Sequence, residues 1–153
     1  MIADVTRDLA PMNDRKLLLT ADEAMAYLDD VFPQVRGEFA IEALSPMFAR
    51  VRLNVTDAHL RPGGTISGPS MFSLVDCGFY IAVLGMIGRQ ALTVTTSCSI
   101  NFMRKPAPVD LVCEARILKL GRTLAVGDAT LLSPGVDGPV AHATLTYAIP
   151  PTR

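Results

Sequence analysis

Asp76 is the one acid in the stretch Ser67 to Gly88, SGPSMFSLVDCGFYIAVLGMIG, where nearly every other residue is apolar or small. A carboxylate placed among apolar neighbours is costly unless it is hydrogen-bonded, paired or used. Stripped of water, it suits proton abstraction or direct attack on an electrophile. A plainer alternative leaves the acid accepting backbone or hydroxyl hydrogen bonds with no further role. Few other residues could do chemistry. His59 lies in the loop before this stretch, where an exposed, non-catalytic side chain is expected; His142 lies in a strand-like run, solvent-facing or hydrogen-bonded. Arg104, Lys105, Lys119 and Arg122 fall at expected strand ends, as solvated charge or as contacts for an anionic ligand. No metal-ligand cluster, phosphate-cradling glycine loop or Ser-His-Asp order is present.

The stretch that carries Asp76 reads as a helix. Ser67 or Ser70 can cap it, Pro69 suits its first turn, and Gly85 and Gly88 mark its end. A helix apolar on all sides is buried on all sides, in a core or in a membrane. A span needs about 20 apolar residues. This run is slightly short and holds an acid, and strands follow at once, so the expectation is a core helix wrapped by a sheet.

The chain supports such a core. Of its 153 residues, 50% are hydrophobic and 19% charged, enough for one well-filled domain. The net charge of −1, with no lysine-arginine block, argues against nucleic acid. The N-terminus lacks the continuous apolar region of a secretory signal. Cys77, Cys98 and Cys113 are odd in number and sit in apolar patterns, so they read as buried thiols of a cytoplasmic protein.

In chain order, residues 1–19 are expected to form a loose arm and 20–153 a single domain. Thr20, three residues ahead of Glu23, starts a helix that runs to about Val31. Phe39–Leu44 and Met47–Val55 read as strands turned at Ser45-Pro46. Four strands follow the central helix: Ala91–Met103, Val109–Leu118, Thr123–Leu132 and Val140–Ile149. In the first of these, alternation puts Thr93, Thr95, Ser97, Ser99 and Asn101 on one face, with Leu92, Val94, Cys98, Ile100 and Phe102 on the other. Short connections favour antiparallel neighbours. The fold class is α+β, a curved antiparallel sheet wrapped around one long central helix. Its edge strands need cover, so a homodimer, or a homotetramer built from two, is expected.

The segments GTISGPSMFSLVD (64–76), NFMRKPA (101–107) and LGRTLA (120–125) together resemble hotdog-fold acyl-coenzyme A thioesterases of the phenylacetic-acid-degradation (PaaI) type, over roughly residues 35–150. The resemblance implies hydrolysis of an acyl-coenzyme A thioester, with coenzyme A as part of the substrate and no metal or redox cofactor. Asp76 then matches the base or nucleophile, the Gly68 backbone N–H the group that polarises the carbonyl, and Thr95 the hydroxyl that positions the nucleophile. A helix N-terminus, with free N–H groups and partial positive charge, fits the second role.

Gly68 and Asp76 are eight residues apart, about 12 Å along a helix. If they act on one carbonyl, they come from two subunits packed about a two-fold axis. Three positions depart from the family pattern. Ser67 stands for its usual His, Pro69 for its second glycine, and Arg61 for an Asn. Arg61 donates but cannot accept hydrogen bonds, so it suits a carboxylate or phosphate. Ser67, Ser70, Arg61, Arg104, Lys119 and Arg122 are the expected substrate-binding residues. The departures leave two readings: a thioesterase with a divergent substrate, or an inactive acyl-thioester binding or scaffold protein.

Overall fold

The computed structural model describes residues 15–151. Two helices and six strands follow in the order α1 (Ala21–Val31), β1 (Phe39–Ser45), β2 (Phe48–Leu53), α2 (Gly68–Ile87), β3 (Val94–Phe102), β4 (Leu111–Leu120), β5 (Leu124–Leu132) and β6 (Ala141–Ala148). Short 3-10 turns at Pro33–Val35 and Asp57–His59 punctuate the connections. The strands form one antiparallel sheet in the order β1-β2-β4-β5-β6-β3, so β1 and β3 are its edges. This is the expected helix wrapped by a sheet.

Local chemistry sets the helix ends. The Thr20 hydroxyl accepts from Glu23 N–H while the Glu23 carboxylate accepts from Thr20 N–H, the capping box read from the sequence. Pro33 stops α1 because a proline ring cannot continue the ladder. In α2, Ser67 is the N-cap, and Gly88 closes the helix with φ 86°, a conformation open to glycine. Gly85 is not at the end, as expected from sequence, but inside the helix. A side chain there would meet Leu44 and Leu17 at 3.1 and 3.2 Å, so it is a packing glycine. Residues 1–14 of the expected arm lie outside the described residues. Residues 15–19 are docked: Leu18 N–H donates to Gly85 C=O at 2.7 Å, and Leu19 is buried.

Burial of α2 is nearly complete from Leu74 to Met86, with Asp76 half-buried among them. It is the only described helix long and apolar enough to cross a membrane, and the sheet encloses most of it. Its first turns depart from the expectation, since Phe72 and Ser73 are exposed. The helix lies tight on the sheet. A side chain at Gly78 would meet the Cys113 sulfur at 2.7 Å, and one at Gly127 the Phe79 ring at 2.4 Å. Leu111, Cys113, Ala115 and Ile117 face this core from β4. The other face of β1, β2 and β4 carries a charge ladder, with Arg50 paired to Glu114 at 2.7 Å and to Glu42 at 3.6 Å.

The structure corrects the reading of β3. Its pairing with β6 slips between Thr95 and Ser97, leaving Thr96 as an extra residue. Such a bulge reverses which face each later residue occupies. Thr93 is buried and Thr95 half-buried ahead of it; beyond it Cys98 and Ile100 turn inward, and Ser97, Ser99 and Asn101 are exposed. The five polar residues therefore do not share a face. The strand is also shorter than expected, because Ala91 to Thr93 form a turn.

Candidate functional site

The α2 stripe Ser73, Asp76, Cys77 and Tyr80 recurs at helical spacing and forms one wall of a cavity of about 270 Å³. A second wall comes from the start of β3, with Thr93, Val94 and Thr95, backed by Tyr147 of β6. The third is built by the end of α1 and the segment leading into β1, with Val31, Phe32, Val35 and Phe39. The lining is mostly apolar; Asp76 is its one acid, and Ser73, Tyr80, Thr93, Thr95 and Tyr147 add hydroxyls.

Asp76 is held there by two hydroxyls. Thr95 donates to its Oδ1 at 2.5 Å, and Tyr147 donates to the same Oδ1 at 2.5 Å and to the Asp76 main-chain oxygen at 2.7 Å. The bulge at Thr96 lets Thr95 point in while the rest of β3 turns its polar residues out. Tyr147 is 2% exposed, its ring packed at a tilt against Phe79 and Tyr80 at centroid distances of 5.2 and 6.3 Å. Burial, then the Asp76 charge and hydrogen bond, push its phenol far above the ordinary tyrosine range, so it remains a donor. The sequence carries a signal for it, a tyrosine at an inward position of a strand, VAHATLTYAI, but nothing there links it to Asp76.

Cys77 lines the same cavity. Burial, followed by the neighbouring Asp76 charge, pushes its thiol well up, away from the thiolate a nucleophile needs. Burial likewise raises Tyr80 to about 12, and its hydroxyl donates to Ala91 C=O at 2.9 Å. The Thr93 hydroxyl is buried with no hydrogen-bond partner among the described residues.

Gly68 sits at a different place, a second cavity of about 370 Å³ lined by Arg61, Thr65, Ile66, Met71, Phe102, Met103, Arg104, Lys105 and Pro106. Among the described residues no acidic side chain lines it. The Ser67 hydroxyl accepts from Ser70 N–H at 3.3 Å and donates to the Ser70 hydroxyl at 2.9 Å. Met71 N–H is taken by Ser67 C=O, and Pro69 has no N–H. Gly68 therefore carries the one uncommitted amide of this first turn among the described residues. Ser70, whose N–H looks free from the sequence, is committed to the cap.

The remaining candidates divide. Arg61 opens a tight turn, with Gly64 N–H donating to its C=O at 3.0 Å, and it faces the second cavity with Arg104 and Lys105. The Arg104 guanidinium is anchored on Pro139 C=O at 2.6 Å. Ser67 and Ser70 spend their hydroxyls on each other and line neither cavity. Lys119, in β4, and Arg122, in the β4–β5 turn, also line neither. His59 is buried, not exposed. Its Nδ1 accepts from Thr56 N–H at 2.9 Å, which leaves Nε2–H to donate to Glu38 at 3.0 Å, and its C=O accepts from Ser67 N–H at 2.8 Å. It fixes the loop that delivers α2. His142 is paired with Asp128 at 3.0 Å on the outer face of the sheet.

The sequence profile of the thioesterase superfamily matches residues 63–146. The chain belongs to the thioesterase superfamily. Its fold is shared at a TM-score of 0.83 with a Silicibacter sp. TM1040 protein titled "putative thioesterase", 56% identical, over 90% of this chain and 96% of that one. A mutant of the phenylacetic acid degradation protein PaaI from Thermus thermophilus is 25% identical, with a TM-score of 0.67, over 77% of this chain and 99% of that one. A Deinococcus radiodurans protein named "Putative esterase" is 38% identical over 67% of this chain, and the match spans 64% of its own length. As a member of this superfamily the chain has the hotdog fold, and a PaaI-type protein is among its structural neighbours.

Proposed function

We propose that the protein hydrolyses an acyl-coenzyme A thioester to a free acid and coenzyme A, with Asp76 as the base or nucleophile. The observation that carries this reading is the carboxylate in the wall of a mostly apolar cavity, its Oδ1 fixed by Thr95 and Tyr147. Two donors on one oxygen leave the other turned free for water or for the carbonyl carbon. Such fixed geometry is what a general base or nucleophile needs.

The oxyanion donor in this reading is the Gly68 amide of a second subunit. Within one chain Gly68 and Asp76 line separate cavities, and the free edge of β3 runs between them. Its first residues line the Asp76 cavity, and Phe102 lines the Gly68 cavity. Pairing β3 antiparallel with its own copy lays the Asp76 cavity of one subunit beside the Gly68 cavity of the other. The edge and the turn before it carry exposed apolar residues suited to such pairing: Val94 at 56% and Phe102 at 52% on β3, and Leu92 at 82% in the turn. In that dimer, Arg61, Arg104 and Lys105 line the mouth through which the phosphates of coenzyme A lie. Lys119 and Arg122 drop out of this proposal because they line neither cavity. The reaction needs no metal or redox cofactor.

The test is thiol release from short-chain, long-chain and aromatic acyl-coenzyme A esters by the parent and by Asp76→Asn. Asn is the sharper substitution. It keeps a side-chain oxygen for both hydroxyls, whereas Ala removes the acceptor of the Thr95 hydroxyl and leaves Tyr147 only the Asp76 main-chain oxygen. Turnover in the parent with near-complete loss in a folded Asp76→Asn supports the reading. Turnover untouched by the substitution removes Asp76 from the mechanism. Binding of the esters without thiol release establishes the non-catalytic alternative.

A further inference from the structure

The cavity beside Asp76 is bounded on one side by a part of the chain outside the α2 and β3 machinery. The segment from the end of α1 to the start of β1 contributes Val31, Phe32, Val35 and Phe39, and none of these four is polar. This wall therefore recognises hydrocarbon. It is also rigid. Pro33 ends α1, Phe32 N–H is bonded to Leu28 C=O at 2.8 Å, and Arg36 reaches back to Asp29 C=O at 2.8 Å. Ala91 N–H donates to the Tyr27 hydroxyl at 3.1 Å and pins α1 to the start of β3.

Phe32 is the anomaly in this segment. Leu28 and Phe39 on either side are buried at 0% and 3%, yet Phe32, lining the cavity, is 42% exposed. A large ring left half in water beside an apolar cavity gains by covering a bound chain. The cavity volume of about 270 Å³, at about 30 Å³ for each water-sized group, holds about nine non-hydrogen atoms.

Resting on the thioesterase reading, we propose that Val31, Phe32 and Val35 form a gauge that selects hydrocarbon acyl groups of about nine non-hydrogen atoms. Medium straight chains fill the space, and a palmitoyl chain overruns the wall. Phe32 and Val35 set specificity without touching the reacting carbonyl, which in this reading lies against Asp76 on the α2 wall.

The experiment measures kcat/KM for thiol release across butyryl, hexanoyl, octanoyl, decanoyl, dodecanoyl and palmitoyl coenzyme A. It is run on the parent, on Phe32→Ala and on Val35→Phe, and affinity for the same esters is measured by calorimetry. The parent is expected to peak in the middle of the series. Phe32→Ala, at an exposed position, is expected to fold normally and to raise dodecanoyl relative to hexanoyl about tenfold, the scale of one methylene in an apolar pocket. Val35→Phe fills the cavity and is expected to lower decanoyl relative to butyryl by a similar factor. A length profile unmoved in both variants, by turnover and by affinity, overturns the gauge. No thiol release with a length-dependent affinity that shifts as described overturns the hydrolase reading and upholds the gauge.

Discussion

Replacing Tyr147 with phenylalanine separates the support of Asp76 from the core that surrounds it. The ring stays, with its contacts to Phe79 and Tyr80. Only the hydroxyl goes, and with it the bonds to Asp76 Oδ1 and to the Asp76 main-chain oxygen. Neither acceptor is orphaned: Oδ1 keeps Thr95, and the main-chain oxygen lies within the ladder of α2. The stability cost is therefore the net worth of a hydrogen bond to a charged group, about 1.5–3 kcal/mol, read by urea denaturation. The effect on turnover is larger in proportion. A carboxylate held by one hydroxyl has lost a fixed direction, and a displacement of about 1 Å at a reacting group costs about 100-fold. We expect kcat to fall between about 10-fold and 100-fold with KM little changed, since the phenylalanine ring keeps the tyrosine's place in the cavity wall. Thr95→Val acts on the same oxygen, so the effects of the two substitutions are coupled and do not add. A Tyr147→Phe protein that loses stability but keeps the parent kcat and pH–rate profile would show that the tyrosine serves the fold alone.

The buried thiols and Tyr147 also predict how stability responds to alkali. Burial raises Cys77, Cys113 and Tyr147 above their unfolded values, so each contribution is intact below the unfolded pKa, about 8.5 for cysteine and about 10 for tyrosine. Above those values the unfolded chain ionises while the folded one does not. Stability then falls by about 1.4 kcal/mol per pH unit for each group. Thermal denaturation from pH 7 to 11 is expected to show a decline that begins near pH 8.5, and Cys77→Ala is expected to reduce its slope; a flat curve refutes it. Thr93→Val removes a buried hydroxyl that has no partner among the described residues and keeps the shape. We expect denaturation to show a gain of about 1 kcal/mol, and a loss would mean that the hydroxyl is satisfied.

Much of the fold is legible in the sequence because its signals are local. The capping box at Thr20 and Glu23, the stop at Pro33, and the apolar run from Leu74 to Met86 each declare an element from its own residues. Asp76 is legible for the same reason, as an acid where apolar residues surround it. Gly85 misleads because a glycine that makes room for Leu44 and Leu17 looks the same, in sequence, as one that ends a helix. His59 misleads because its burial depends on Glu38, 21 residues away. Tyr147 is 71 residues from Asp76, and only the order of strands brings them together. The alternation rule fails in β3 because it assumes an unbroken pleat, and one extra residue breaks it.

The bulge at Thr96 has a meaning for how the site is written into the gene. Whether Thr95 faces the carboxylate or the solvent is decided by a count, the number of residues between two paired points on β3 and β6. Scanning substitutions one position at a time cannot find such information, since Thr96 itself touches nothing in the cavity. Removal of that single residue would change every orientation on one side of it while leaving the composition of the strand almost intact. Among related chains, a gain or loss of one residue here would rewire the centre more thoroughly than exchange of any side chain in it.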